Sequence, residues 1–263
     1  MSEPTSRFAT VSTVVRGCQI RTRVSQVVPA YSQPSIVLVH GLGVSACYLM
    51  PLAEQLASHF RLLIPDLPGF GDSGKPKNVL DIPELADYVR EWMPTVGLTH
   101  AVFLGNSLGC QVIVDLAVRY PHYINAAVLI GPTVDPRDRT MLGQLWRGFR
   151  DLCREPWSLW PTLFYDYLVT GTRRMLQTFK YVLKDPVEQK LPLMSIPTLV
   201  VRGGRDTIVP QAWVERMIAL LPNGRLLVIP RGTHAANYST PVELAAAVRE
   251  YVDSLSLEVT RSS

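Results

Sequence analysis

Apolar positions follow two different patterns along the chain. Residues 8–15 and 19–26 alternate apolar and polar side chains on either side of Arg16-Gly17, which predicts an antiparallel hairpin at the edge of a sheet. Later runs are apolar at nearly every position, which is typical of parallel strands buried on both faces. These runs cover residues 36–39, 62–65, 101–104, 126–130, 198–201 and 226–229.

Stretches with helical periodicity separate the apolar runs. They cover residues 48–59, 82–93, 108–120, 211–221 and 242–254. Because strand and helix alternate, the pattern predicts an α/β protein with a doubly wound, mostly parallel sheet.

The alternation fails between residues 132 and 196. This span is rich in aromatic side chains and has a helical pattern with breaks near Pro156 and Pro161. It follows a predicted strand, so we expect a helical insertion above the carboxyl edge of the sheet, where open α/β sheets bind their ligands.

Length and composition are those of one large globular domain. The chain has 263 residues, of which 47% are aliphatic or aromatic. No apolar run approaches the ~18 residues of a membrane-spanning helix, and the N-terminus has no apolar segment of signal-peptide length. We therefore expect a cytoplasmic protein with no membrane partner, present as a monomer or homodimer. The four cysteines lie far apart without C-x-x-C spacing, which predicts reduced thiols and no metal site.

The charged residues give no sign of a nucleic-acid partner. The formal net charge of +4 comes from 26 basic and 22 acidic side chains that are interspersed along the chain. A nucleic-acid-binding protein concentrates its basic residues with aromatic ones, and only residues 136–154 resemble such a patch. We therefore expect no nucleic-acid partner.

A glycine-rich loop after the run 36–39 allows two interpretations. Gly41, Gly43 and Ala46 fit the G-x-G-x-x-G/A pattern of a dinucleotide-binding turn, and Asp66 closes the next apolar run. In the second interpretation, the loop is half of an oxyanion hole. Two predicted strands precede the loop, whereas a dinucleotide-binding domain usually begins with its glycine turn, so the second interpretation is favoured.

A possible nucleophile lies between the run 101–104 and the helical stretch 108–120. The sequence there is Gly-Asn-Ser-Leu-Gly with the serine at position 107, which matches G-x-S-x-G in a strand–turn–helix context. Such a turn exposes the serine hydroxyl above the start of the helix. A serine hydroxyl is a weak nucleophile, so it needs a base and donors that stabilise an oxyanion.

Two later loops supply the base and its acid partner. Asp206 follows the run 198–201, and His234 follows the run 226–229, so both are expected on the same edge of the sheet as Ser107. The chain order Ser, Asp, His is the one expected for a catalytic triad on this fold. We expect His234 to take the proton of Ser107 and Asp206 to hold the imidazole ring.

The combined motifs resemble those of the α/β-hydrolase fold family. The matching segments are VLVHGLG, PDLPGFGDSGKP, GNSLGC, VRGGRDTIVP and GTHAANYSTP. The resemblance implies eight mostly parallel strands, a hydrolase core at residues 1–131 and 194–263, and a helical cap at residues 132–193 inserted after strand 6. It also implies that the backbone N–H groups of Leu42 and Leu108 form the oxyanion hole. No cofactor follows from it.

Two residues need a separate interpretation under this resemblance. His40 is expected to brace the glycine loop through hydrogen bonds. Asp135 follows the run 126–130, and some members of the family take their acid from that loop. Asp206 is the preferred acid because its Gly-Gly-Arg-Asp setting matches the family's commoner acid position.

The serine limits the chemistry that we expect. The related dehalogenases and epoxide hydrolases need an Asp at that position, whereas Ser107 can form an acyl-enzyme. The expected substrate is therefore an ester, thioester or lactone of a largely apolar small molecule. Asn106 also resembles the carbon–carbon bond hydrolases of ring-fission products, and a receptor-like protein with little turnover is a third possibility. Aromatic residues of the cap are expected to line the pocket, with Trp146, Trp157, Trp160 and Phe164 as first candidates.

Overall fold

A computed structural model describes residues 7–26 and 33–262 of the chain. These residues contain one eight-stranded sheet whose strands follow one another in the spatial order β1-β2-β4-β3-β5-β6-β7-β8. The strands are β1 (Phe8–Val15), β2 (Cys18–Ser25), β3 (Ile36–Val39), β4 (Leu62–Pro65), β5 (Ala101–Asn106), β6 (Ile124–Ile130), β7 (Thr198–Gly203) and β8 (Gly224–Ile229). β1 and β2 form an antiparallel hairpin, β2 pairs antiparallel with β4, and the other neighbours are parallel. The predicted mostly parallel sheet is confirmed.

Helices lie between the strands in the predicted order. The helices are α1 (Ala46–Leu56), α2 (Ile82–Thr95), α3 (Leu108–Arg119), α4 (Met141–Leu152), α5 (Trp160–Thr170), α6 (Thr172–Lys184), α7 (Val187–Lys190), α8 (Gln211–Leu220), α9 (Ala236–Ser239) and α10 (Pro241–Ser262). α4 to α7 follow β6 and precede β7, which is where the sequence predicts a helical insertion. A helix boundary lies next to Pro161, since α5 begins at Trp160. Pro161 occupies the first turn of α5, where a proline has no hydrogen bond to lose.

Helices cover both faces of the sheet. In β3, Ile36 and Leu38 belong to a buried cluster with residues of α1 and α10, whereas Val37 and Val39 belong to a second cluster with residues of α2, α3 and α8. Successive side chains of a strand point to opposite faces, so an uninterrupted apolar run is what a sheet buried on both faces requires. This packing fixes the carboxyl ends of β3, β5, β6, β7 and β8 along one edge.

Candidate active site

Ser107 lies in a strained turn between β5 and α3. Its backbone has φ 53° and ψ −114°, in the region of positive φ that a residue with a side chain rarely adopts. The turn requires a glycine at position 109, because a Cβ atom there would lie only 2.3 Å from the Val39 carbonyl oxygen. Strain of this kind persists where the surrounding structure enforces it, and it is common at functional sites. The turn is the one that the G-x-S-x-G motif predicts.

Asp206 and His234 meet on the two loops that follow β7 and β8. The Asp206 Oδ2 atom lies 2.9 Å from Nδ1 of His234. The other carboxylate oxygen of Asp206 accepts hydrogen bonds of 2.7 Å and 2.9 Å from the backbone N–H groups of Ile208 and Val209. Both carboxylate oxygens are therefore engaged, and the acceptor for His234 is held in a fixed position.

Carboxylates control the proton affinity of His234. Burial alone lowers the pKa of the imidazole, but the neighbouring carboxylates of Asp206, Asp151 and Glu155 outweigh this effect and raise it to about 9. The Nδ1 hydrogen bond to Asp206 leaves Nε2 as the ring nitrogen available for a second partner. His234 can therefore exchange a proton through Nε2 while Asp206 stabilises the charged ring.

Asn106 and Gly131 support this arrangement, a role that the sequence motifs did not indicate. The side-chain amide of Asn106 donates hydrogen bonds to the carbonyl oxygens of Ile130 at 3.2 Å and His234 at 3.1 Å. Gly131 has φ +54°, and a Cβ atom there would lie only 2.9 Å from Nδ1 of His234. These contacts tie the serine turn, the end of β6 and the histidine loop together. The Gly-Pro that ends the apolar run of β6 was the only signal in the sequence.

Two buried carboxyl groups of the insertion also contact the loops of Asp206 and His234. Asp151 accepts hydrogen bonds from the backbone N–H and the hydroxyl of Thr207, at 3.2 Å and 3.3 Å. Glu155 accepts them from the Thr233 hydroxyl at 2.8 Å and from the Ala235 N–H at 3.0 Å. Burial, together with the Asp151 carboxylate, raises the pKa of Glu155 to about 7. The insertion therefore holds the residues next to both Asp206 and His234.

A cavity of about 500 Å³ joins the serine to the histidine. Ser107 and His234 both line it, as do Leu42 and Leu108, whose backbone N–H groups are the ones that the family resemblance implies for an oxyanion hole. This volume lies within the range of small-molecule sites, about 300–1,000 Å³. Most of the remaining wall is apolar and comes from the helices between β6 and β7.

The four aromatic residues expected in the pocket are not among the residues that line this cavity. They are exposed instead: Trp146, Trp157, Trp160 and Phe164. Their neighbours take the place assigned to them, namely Leu145 and Phe149 on α4, and Leu159, Leu163 and Tyr167 at or near α5. Adjacent residues of a helix differ by about 100° in direction, so a one-residue difference moves a side chain from the cavity to the surface.

The glycine loop before α1 is organised by carboxylates. Asp66 accepts a hydrogen bond of 2.6 Å from the Ala46 N–H, and Asp166 accepts one of 2.8 Å from the Ser45 N–H. A pyrophosphate bound to this helix start would meet both negative charges, which disfavours the dinucleotide interpretation. His40 lies beneath the loop, where Nδ1 is 2.8 Å from the Gly41 carbonyl and Nε2 accepts from the Leu67 N–H at 2.9 Å.

Asp135, the alternative acid, makes a different contact. Its Oδ1 atom accepts a 3.0 Å hydrogen bond from the backbone N–H of Arg137 in the turn after β6. Its carboxylate is therefore used locally, whereas that of Asp206 faces the histidine ring. The geometry favours Asp206 as the partner of His234.

Hydrolases of the α/β class carry their serine, acid and histidine on such loops, in this chain order. The model of the alpha/beta hydrolase family matches residues 36–247, and the chain belongs to that family. It is therefore an enzyme of the α/β-hydrolase class, similar to carboxylic ester hydrolases. No helix among the described residues is long and apolar enough to cross a membrane.

Known proteins resemble this chain over most of its length. A curated relative is the pimeloyl-[acyl-carrier protein] methyl ester esterase of Aeromonas salmonicida, which is 25% identical over 83% of this chain and 95% of its own. A crystal structure of a membrane phospholipase A has a TM-score of 0.82 and 23% identity, covering 95% of this chain and 87% of the other. A thermophilic esterase from Thermogutta terrifontis has a TM-score of 0.73 and 21% identity, covering 95% and 99%.

Proposed function

We propose that the protein is a serine hydrolase that cleaves an ester, thioester or lactone of a largely apolar small molecule through an acyl-enzyme. The observation that carries this proposal is the 2.9 Å contact between Asp206 and His234, because His234 lines the same cavity as the strained Ser107. The similarity to a methyl ester esterase favours an ester over the other acyl substrates. Residues 132–193 are the helical cap in this proposal.

The acylation step gives each of these groups a defined role. His234 accepts the hydroxyl proton of Ser107 at Nε2 while the serine oxygen attacks the acyl carbon. The N–H groups of Leu42 and Leu108 stabilise the resulting oxyanion, and Asp206 stabilises the imidazolium. When the tetrahedral intermediate collapses, the protonated His234 gives its proton to the leaving group.

Water then completes the cycle. His234 removes a proton from a water molecule, which attacks the acyl carbon. As the second tetrahedral intermediate collapses, His234 returns that proton to the Ser107 oxygen, which releases the acid and restores the serine hydroxyl. The apolar cavity wall holds the acyl portion of the substrate and keeps bulk water from the reacting carbonyl.

The test is the Ser107→Ala variant, assayed with p-nitrophenyl esters, acyl thioesters and a ring-fission dienone. We expect kcat to fall by about 10⁴ to 10⁶ in a folded variant, and a phosphonate probe to label the wild type at Ser107. Ser58→Ala changes an exposed serine after α1 and serves as the control. Retention of more than about a tenth of the activity contradicts the nucleophile assignment. Turnover of the dienone alone would favour the carbon–carbon bond hydrolases, and turnover of none would favour a receptor.

A further inference from the structure

The outer surface of residues 132–193 is unusually apolar. Large apolar side chains that are more than half exposed there include Leu142, Trp146, Phe149, Trp157, Phe164 and Leu168. Trp146 stacks on Phe149, and Trp157 stacks on Trp160, so the rings form exposed pairs. We name these residues the apolar cap face. An exposed apolar surface of this kind is characteristic of an interaction site.

The cavity reaches the surface at the apolar cap face, because Phe149 of that face also lines the cavity. Leu145, Phe149 and Leu176 line the cavity and are also 53%, 59% and 50% exposed. Each is therefore in contact with both the cavity and the solvent. A molecule leaving an apolar phase that covers this face would reach the cavity without crossing water.

The charges on this surface all have one sign. In residues 132–193, all of which the structure describes, every Asp and Glu is buried or half-buried. Several of these carboxylates bind partners from within, as Asp166 does with Ser45, Asp185 with Lys190 and Asp138 with Arg147. The exposed charged side chains of this range are cations: Arg137, Arg150, Arg154, Arg173, Lys180 and Lys184.

We propose that the apolar cap face docks on an anionic lipid surface. Exposed aromatic and leucine side chains enter the boundary between headgroups and acyl chains, while the exposed cations of residues 132–193 face the lipid phosphates. Aromatic and leucine side chains next to Arg and Lys are the composition of segments that lie in a membrane interface. The docking does not depend on the proposed catalysis. It departs from the expectation of no membrane partner, which was drawn from the absence of a spanning run and of a signal-peptide segment in the sequence.

Vesicle sedimentation tests the docking with the full-length protein. We expect binding to vesicles of phosphatidylcholine with phosphatidylglycerol, and much weaker binding to phosphatidylcholine alone. Arg150→Glu and Arg173→Glu should each weaken binding by about fivefold or more, since one basic residue near the surface contributes about that factor. Leu142→Ser with Leu168→Ser should weaken it by about tenfold or more, because both side chains leave the apolar phase.

Matched controls lie on α10, away from the insertion. Val242 is 61% exposed and Arg249 is exposed, so Val242→Ser with Arg249→Glu removes the same kinds of group from another surface. This control and Ser107→Ala should both bind vesicles as the wild type does. The leucine and arginine variants should keep wild-type activity on a soluble short-chain ester.

Three results would overturn the proposal. One is a wild-type protein that stays in the supernatant with anionic vesicles at low salt. A second is an equal loss of binding in the α10 control. A third is a wild-type protein that does not bind vesicles but forms a dimer in gel filtration, which the Leu142→Ser and Leu168→Ser changes dissociate. The apolar cap face would then be an interface with a second copy of the chain. Loss of activity in Ser107→Ala alone would leave the docking intact.

Discussion

Gly131 offers a direct test of where the His234 ring lies. Replacing it with alanine adds a Cβ atom 2.9 Å from Nδ1 and 3.1 Å from Cε1 of His234, at a residue with φ +54°. The ring must move by about 0.5 Å to restore an ordinary contact of 3.4 Å. Nδ1 is the atom held by Asp206, so this movement acts on the 2.9 Å contact that orients the ring. Catalytic groups need their geometry within about 0.5 Å, so we expect a ten- to hundredfold loss in kcat.

Gly97→Ala separates this effect from backbone strain. Gly97 has φ +74°, so alanine there is strained in the same way, by about 1–2 kcal/mol, but its Cβ atom would meet nothing within 4 Å. Gly97 also precedes β5 and therefore lies at the opposite edge of the sheet from Ser107. Both variants should lose free energy of unfolding in urea through this strain, and Gly131→Ala should lose more because its Cβ atom also crowds His234. Only Gly131→Ala should lose kcat for a p-nitrophenyl ester.

A second measurement identifies the cause of the loss in Gly131→Ala. A weaker bond to Asp206 lowers the pKa of His234, so the acidic limb of the kcat/KM profile should move to lower pH. A folded Gly131→Ala variant with kcat within about twofold of Gly97→Ala would refute the reasoning, given the expected loss. The His234 ring would then lie elsewhere during catalysis.

Two further predictions concern the carboxylates around His234. Asp206→Asn should lower kcat by about 10⁴ because it fixes the wrong imidazole tautomer, whereas Asp135→Asn should change kcat little. Steady-state kinetics on variants that are folded by circular dichroism measure both effects. The opposite order would make Asp135 the acid. Glu155→Gln removes a charge that raises the pKa of His234, so the acidic limb of kcat/KM should move to lower pH. Glu188→Gln, which changes an acid elsewhere in residues 132–193, serves as the control. Because folding raises the pKa of Glu155, its contribution to stability is present below pH about 4.5 and is lost as the pH rises through about 7. In urea titrations, the free energy of unfolding of Glu155→Gln should therefore depend less on pH in that window than that of the wild type. An unchanged limb together with an unchanged pH dependence would contradict the contacts assigned to Glu155.

The sequence determined the order of strands and helices by itself. Runs such as 36–39 are apolar at every position, and only a sheet covered on both faces buries all of those side chains. The serine turn was also predictable from the sequence, because the strand, the Gly-Asn-Ser-Leu-Gly motif and the helix follow one another directly in the chain. Asp206 and His234 were predictable as candidates because each follows a strand whose carboxyl end lies at the same edge.

Tertiary structure decided which side chains meet. Asp135 and Asp206 both follow parallel strands, and only the conformations of their loops direct one carboxylate to His234 and the other to the Arg137 N–H. The cavity wall depended on the rotation of α4 and α5 about their axes, which helical periodicity alone does not set relative to the sheet. Glu155 lies 78 residues before Thr233, and no local pattern relates two residues that meet only when the insertion packs on the histidine loop.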